Sequence, residues 1–236
     1  MKRIKQTLSI IALSIIALSL SSCVSNDAKE VENRLYSKYN KEFEVVKIYD
    51  ITPGGKGMNY DAICYPKDNQ DLLFEAHVYN EGEEIDDEYE CALLGEAMKR
   101  DAEPIINEIA EDYEMHMGFT SYADGFREGM SAKEFNMNNE CVCYNTLIIN
   151  KDKRANIEPI KLYSTITEMY REWGNINGGI YILLANNDEM IDIREQLSRK
   201  TSMDSNVFDV CAQQYSSDVK NGIVTKSMNE MFKDLK

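Results

Sequence analysis

The sequence predicts an α+β protein in two parts: an N-terminal helix laid on an antiparallel sheet, then a C-terminal α/β layer of alternating strands and helices. Two patterns carry that expectation. Between residues 43 and 80, three runs rich in Val, Ile, Tyr and Phe are separated by the turn-forming stretches TPGGKG and PKDNQD. From residue 141 onward, strand-like runs alternate with segments of helical period.

The first helix is expected over residues 31–40, where Val31, Leu35 and Tyr39 recur every four residues. Strands are expected at 43–51, 59–65 and 72–80. The alternation in FEVVKIYDI and LLFEAHVY suits an antiparallel sheet with one buried face. A second helix is expected from about Asp87, with Asp87 and Glu90 in capping-box spacing. Pro104 should break or restart it, and Ile105, Ile109, Tyr113 and Met117 extend its apolar stripe. The stretch 118–130, GFTSYADGFREGM, holds three glycines and no period, and reads as a linker between the halves or as a long functional loop. Ser131 and Glu134 then form a capping-box pair for a short helix. Strands at 141–149, 179–185 and 207–215 alternate with helices at 157–173, 188–199 and 227–235, and Asn186 and Glu189 again stand in capping-box spacing. The expected organisation is a signal segment 1–22, a tether 23–30, an α+β domain 31–117, the 118–130 linker or loop, and an α/β domain 131–236.

At the N-terminus, Lys2, Arg3 and Lys5 precede an apolar run too short to span a bilayer, and that run ends in Leu20-Ser21-Ser22-Cys23. The arrangement resembles the lipobox of bacterial lipoproteins. The resemblance implies that Cys23 carries a diacylglycerol on its thiol and that cleavage before it leaves the cysteine at the new N-terminus. The first partner is then the lipid bilayer, and the protein is lipid-anchored on the extracytoplasmic face of the cell membrane. Two or three acyl chains hold far better than one, since each buried CH₂ adds about 0.8 kcal/mol. Val24 follows, so the aspartate that favours inner-membrane retention in some Gram-negative cells is absent.

ENRLYSKYNKEFEVVKIYDI, AICYPKDNQDLLFEAHVY and DDEYECAL resemble a module of uncharacterised Firmicutes lipoproteins, over about residues 31–95. That resemblance implies a cystatin-like or PepSY-like helix on a sheet and brings no activity or catalytic residue with it.

Composition excludes one partner class. Removal of residues 1–22, with their three basic side chains, takes the net charge from −15 to −18. A surface of that sign is repelled by nucleic acid, so none is expected. The mature chain of about 210 residues is long enough for proper cores. Five cysteines remain, Cys64, Cys91, Cys141, Cys143 and Cys211, and an odd number outside the cytoplasm leaves at least one unpaired or shared between chains. Several lie in apolar runs, so buried reduced thiols are expected, with a disulfide such as Cys64–Cys91 as the alternative.

Few motifs carry chemistry. His77 and His116 lack a second ligand at zinc spacing and read as structural or surface histidines. Cys141-Val142-Cys143 puts two thiols on one strand face but has no companion pair, so two small buried side chains are the plainer account. The acidic run EGEEIDDEYE lacks the EF-hand ligand order and suits a turn followed by a helix start. TPGGKGMNY lacks the order of a phosphate-binding loop. Ser131-Ala132-Lys133 imitates a Ser/Lys dyad, although capping accounts for the serine. No catalytic residue, metal or cofactor is expected. The expected function is an interaction or binding module acting on a protein or envelope component through Phe119, Tyr122 and Phe126 of the 118–129 stretch. The alternatives are a solute-binding lipoprotein of a transporter and an extracytoplasmic hydrolase.

Overall fold

The computed structural model describes residues 26–54, 57–79, 85–121, 123–153, 158–197, 211 and 213–233. Cys23, Tyr122 and the expected signal segment lie outside them. The fold is α+β, with an antiparallel four-stranded sheet and a mixed five-stranded sheet. The chain divides into two compact units, one ending at Asp87 and the next beginning at Glu88. The boundary expected at 118–130 is thereby corrected. The strand that ends at Phe119 pairs with Cys141–Asn150, so residues on both sides of that stretch belong to one sheet.

The first unit is helix α1 (Asn26–Tyr39) on strands β1 (Phe43–Gly54), β2 (Gly57–Pro66), β3 (Phe74–Val78) and β4 (Ile85–Asp87), ordered β1-β2-β3-β4. Ala28, Val31 and Leu35 are three and four residues apart, which puts them on one side of α1, and all three are buried. The sheet answers with Phe43, Ala62, Cys64, Phe74, Ala76 and Val78, the alternate residues that share its inner face. Phe74 meets Phe43 edge-on at 5.6 Å between ring centroids. Each large apolar side chain buried here contributes about 1.5–3 kcal/mol. At its C-terminal end α1 is pinned to β4: Lys38 Nζ donates to Asp87 Oδ2 at 2.9 Å and Tyr39 Oη to Oδ1 at 2.8 Å. Asp87 is therefore a buried carboxylate that accepts from Lys38 and Tyr39, and the N-cap of the next helix is Glu88 rather than Asp87, the residue that the spacing to Glu90 suggested.

The second unit runs α2 (Tyr89–Ile106), β5 (Tyr113–Phe119), α3 (Ala132–Asn138), β6 (Cys141–Asn150), α4 (Pro159–Trp173), β7 (Ile176–Ala185), α5 (Asn187–Leu197), β8 (Gln213–Lys220), β9 (Ile223–Val224) and α6 (Met228–Met231). The sheet order is β5-β6-β7-β8-β9. β6 and β7, joined through α4, are parallel over ten residue pairs, and the other neighbours are antiparallel. Side chains alternate between two apolar layers. Leu147 and Ile149 of β6 and Ile180, Ile182 and Leu184 of β7 pack in the same cluster as α2 and α4. Ile148, Leu183 and Ala185 pack with Met190 and Ile193 of α5. Burial on both faces explains why these strands read as nearly unbroken apolar runs.

Three expectations change. α2 passes through Pro104 to Ile106 rather than breaking, because a proline this near the helix end removes only one late backbone bond. Tyr113 and Met117 belong to a strand, not to a continued helix. Of the strand expected at 207–215, residues 207–210 and 212 lie outside the described residues, and the described strand runs on from Gln213 to Lys220.

Inside the main core, Asn145 Nδ2 donates to Tyr170 Oη at 2.8 Å and Tyr170 Oη donates to Gly179 O at 3.2 Å, tying β6, α4 and β7 together. Trp173, the single tryptophan, is fully buried and gives its indole N–H to Met98 O at 2.8 Å. Gly178 sits at φ +126, where a Cβ would lie 2.1 Å from Cys143 O on the paired strand. Gly178→Ala is expected to destabilise by about 3 kcal/mol or more through clash and backbone strain, read as a lowered urea midpoint with an unchanged slope.

Candidate interaction surfaces

The structure separates the residues expected to contact a partner. Phe126 is only 2% exposed and packs edge-on against Phe135, with ring centroids 5.2 Å apart. Phe119 is half-buried, set against the main core and against Gly95. The segment is tied down at several points: Thr120 N donates to Val142 O, Ser121 Oγ accepts from Val142 N at 2.9 Å, and Gly125 N donates to Glu90 Oε2 at 2.9 Å. An aromatic reaching for a partner from a loop would be exposed; Phe126 instead closes the core beneath its loop.

The cysteines and histidines follow the structural reading. All five described cysteines are buried free thiols. Burial pushes the Cys64 and Cys91 thiols up to about 12, and Cys143, which donates to Asn145 Oδ1 at 3.1 Å, is also raised well above its ordinary value by burial. Such thiols are poor nucleophiles. His116 is pushed down to about 4, first by burial and then by the charge of Lys99, so it is uncharged near neutral pH. Ser131 Oγ accepts from Glu134 N at 3.3 Å as an N-cap, while Lys133 turns to Glu172 at 3.4 Å, so the two do not form a dyad. Among the described residues, no three His, Cys, Asp or Glu side chains gather closely enough to hold a metal ion.

Two surfaces do gather polar groups. The first is the outer face of the first sheet, opposite α1. Alternation turns Glu44, Lys47 and Tyr49 of β1, Asp61, Ile63 and Tyr65 of β2, Glu75 and His77 of β3 and Asp86 of β4 to this side. Neighbours across the strands are matched. His77 Nδ1 lies 2.7 Å from Asp61 Oδ1, with Asp86 directly across from His77 on the other side. Lys47 Nζ stands 5.9 Å from the centre of the Tyr49 ring. Desolvation and the hydrogen bond it gives to Glu44 hold the Tyr65 phenol above its usual pKa. Tyr65, Asp61 and His77 are each half-exposed, so the face is ordered and still reachable. Sequence reading singled out His77 alone; the pairing that surrounds it depends on the strand register.

The second surface is at the carboxyl ends of β6 and β7, where a parallel pair is followed by the start of α5. Asn150 Nδ2 donates to Asp112 Oδ2 at 2.8 Å and to Asn187 Oδ1 at 3.0 Å. Asn187 N donates to Asp152 Oδ2 at 2.9 Å, and Arg194 bonds both Asp112 and Glu114. Asn186 and Glu189 complete a reciprocal cap, as their spacing implied. Ligands favour such strand ends in open α/β sheets. Here the polar groups bond one another, and the network buttresses the β6 and α5 ends.

No family model and no curated protein matches the sequence. In three dimensions the chain is similar to a DUF5037 family protein from Ruminococcus gnavus, known from a crystal structure. The TM-score is 0.63 at 17% identity, covering 86% of this chain and 96% of that one. The likeness is one of fold.

Two measurements test these assignments. Phe126→Ala is expected to cost about 3–5 kcal/mol in chemical denaturation, the penalty of a core cavity. The Arg194 hydrogen bond lowers the Asp112 pKa in the folded state, so the pair's stabilisation is complete above the usual aspartate range and is lost as pH falls through the lowered value. Asp112→Asn is expected to flatten that acid limb and to cost about 1 kcal/mol at neutral pH.

Proposed function

We propose that the protein is a membrane-tethered, extracytoplasmic binding module, held to the lipid bilayer by acylated Cys23, whose partner docks on the outer face of the first sheet. The observation that carries this reading is the prearranged Tyr65–Asp61–His77 face, with its cross-strand pairs already formed before any partner arrives. Preorganised side chains lose little freedom on binding, and tyrosine adds contact area at low entropic cost. The face is the pleated outer side of a sheet, which suits a protein or envelope polymer better than a small solute, since small-molecule sites are concave. The tether rests on the lipobox-like stretch ending at Cys23. Among the described residues, no helix is long and apolar enough to cross a membrane.

A hydrolase reading has one observation in its favour: the 2.7 Å His77–Asp61 contact is the geometry of a base with its orienting carboxylate. On that reading His77→Gln would abolish turnover of an envelope substrate. On the binding reading it weakens capture, and there is no turnover to lose.

The test is cross-linking capture from native membranes with wild type, Cys23→Ala and Tyr65→Ala/His77→Ala. A specific partner is expected with wild type. About tenfold less is expected with the face variant, which remains in the membrane fraction, and Cys23→Ala should leave that fraction altogether. Equal capture by wild type and the face variant would overturn the assignment of the surface.

A further inference from the structure

Helix α5 covers part of its side of the second sheet. Its Met190 and Ile193 close over Ile148 of β6 and over Leu183 and Ala185 of β7. Nearer the start of the same strands, alternation brings Tyr144 of β6 and Tyr181 of β7 to this side, and they are 42% and 38% exposed. Tyr144 pairs with Gly179 and Tyr181 with Thr146, so the two are diagonal neighbours on parallel strands. With about 4.8 Å between strands and 3.3 Å per residue, their Cα atoms stand about 8 Å apart. Glycine lies on each side of Tyr144, Gly118 across from it on β5 and Gly179 on β7. The ring leans over Gly179, where an added Cβ would lie 3.3 Å from Cδ1 and 3.5 Å from Cε1. Tyr144 is thus braced by backbone, with no side chain rising beside it at either glycine. On β8, half-exposed Ser216 lies across from Tyr181 and exposed Asp218 across from Gly179. Of the β6, β7 and β8 side chains on this part of the face, Asp218 and Lys220 are the charged ones, one of each sign, in a chain of net charge −15.

We propose that Tyr144 and Tyr181 form a platform for a neutral saccharide polymer of the cell envelope, its sugar rings lying across the two aromatics and its hydroxyls meeting Ser216 and Asp218. The chemistry of the patch selects this occupant. A pyranose ring presents a face of C–H groups and a rim of hydroxyls. The C–H groups are drawn to the negative face of an aromatic ring. The rim needs donors and acceptors, which a serine hydroxyl and a carboxylate supply. A basic protein or a polyanion would call for a patch of one strong sign, whereas this one is balanced. Two rings about 8 Å apart on an open sheet face suit a run of linked sugars that reaches both. A single small solute would need a concave site. The envelope source rests on the proposed tether at Cys23; the recognition chemistry stands on the second unit alone, apart from the face of the first sheet.

The test is titration calorimetry of the full chain, in a detergent without a sugar headgroup, against neutral hexasaccharides of glucose, mannose and N-acetylglucosamine. Binding of at least one is expected. Tyr144→Ala and Tyr181→Ala should each raise its dissociation constant by about tenfold, and Tyr144→Phe, which keeps the ring, by less than about threefold. A hexasaccharide of glucuronic acid should bind more weakly than its glucose counterpart, because the acidic chain repels anions. Tyr65→Ala/His77→Ala should bind as wild type does, so failure of the first-sheet reading leaves this one standing. No binding of any neutral hexasaccharide at about 5 mM would overturn the proposal. So would binding that survives both alanine variants, a Tyr144→Phe variant as weak as Tyr144→Ala, or a glucuronic acid chain that binds as tightly as the neutral one. A chain dimer, read by light scattering, that both alanine variants dissolve would assign the face to a second copy instead.

Discussion

The second unit depends on the parallel pairing of β6 with β7. A parallel pair cannot be joined by a tight turn, so α4 must cross one face of the sheet and return the chain to its starting end. That crossing buries one face, and α5, which starts two residues after β7, covers the other. Two strands buried on both sides have to be apolar throughout. Asn145, Thr146 and Asn150 are buried polar exceptions in β6, and the Asn145 amide is held by Tyr170, a polar knot that favours one alignment of α4 on the strands. Gly178 belongs to the same constraint, because its backbone lies so close to Cys143 that no side chain fits between them.

Much of this was legible in the sequence, for identifiable reasons. The capping signals are local: Asn186–Glu189 closes both bonds of its box, and Ser131 caps its helix by accepting from Glu134 N. Asp87–Glu90 has the same spacing, yet the helix takes its N-cap at Glu88, and Lys38 and Tyr39, distant in sequence, bond the Asp87 carboxylate. The error over β5 has a simple origin. A spacing of four between Tyr113 and Met117 fits a helix and a strand equally, since four is also twice two. The intervening Met115 and the following Phe119 complete the period-two pattern and were the signal that could have separated the two. β4 was hidden in the acidic run 81–90, where Ile85 is the only aliphatic side chain, and β9 is too short to leave a pattern.

The glycines of the 118–130 stretch misled in a related way. Gly125 and Gly129 adopt positive φ, so they serve turns inside one compact unit rather than a hinge between two. Turn chemistry shows where a chain reverses; whether a domain ends there depends on which strands pair afterwards. Phe126 shows the same limit for surfaces. An aromatic between glycines looks like an exposed anchor, yet the turns on either side fold it under the loop. On the outer face of the first sheet, Glu44 meets Tyr65 and Asp61 meets His77 only because β1, β2 and β3 align in one register, with a bulge in β1. Composition showed an acidic chain; register decided which acids stand beside a tyrosine or a histidine.

The clamp on Asp87 also has a mechanical meaning. The chain enters the first unit at the start of α1 and leaves it at Asp87, the residue that Lys38 and Tyr39 grip. A pull between those two points runs along the helix, about 21 Å for its 14 residues, and reaches the exit strand at the clamp that includes the Lys38 ion pair and the Tyr39 hydrogen bond. The ladder between β1 and β2 lies off that line. Under tension from the proposed membrane anchor, the clamp and the buried contacts of Ala28, Val31 and Leu35 would both have to give before the helix could swing away from the paired strands. The first unit would then behave as a short extensible element in series with the proposed tether.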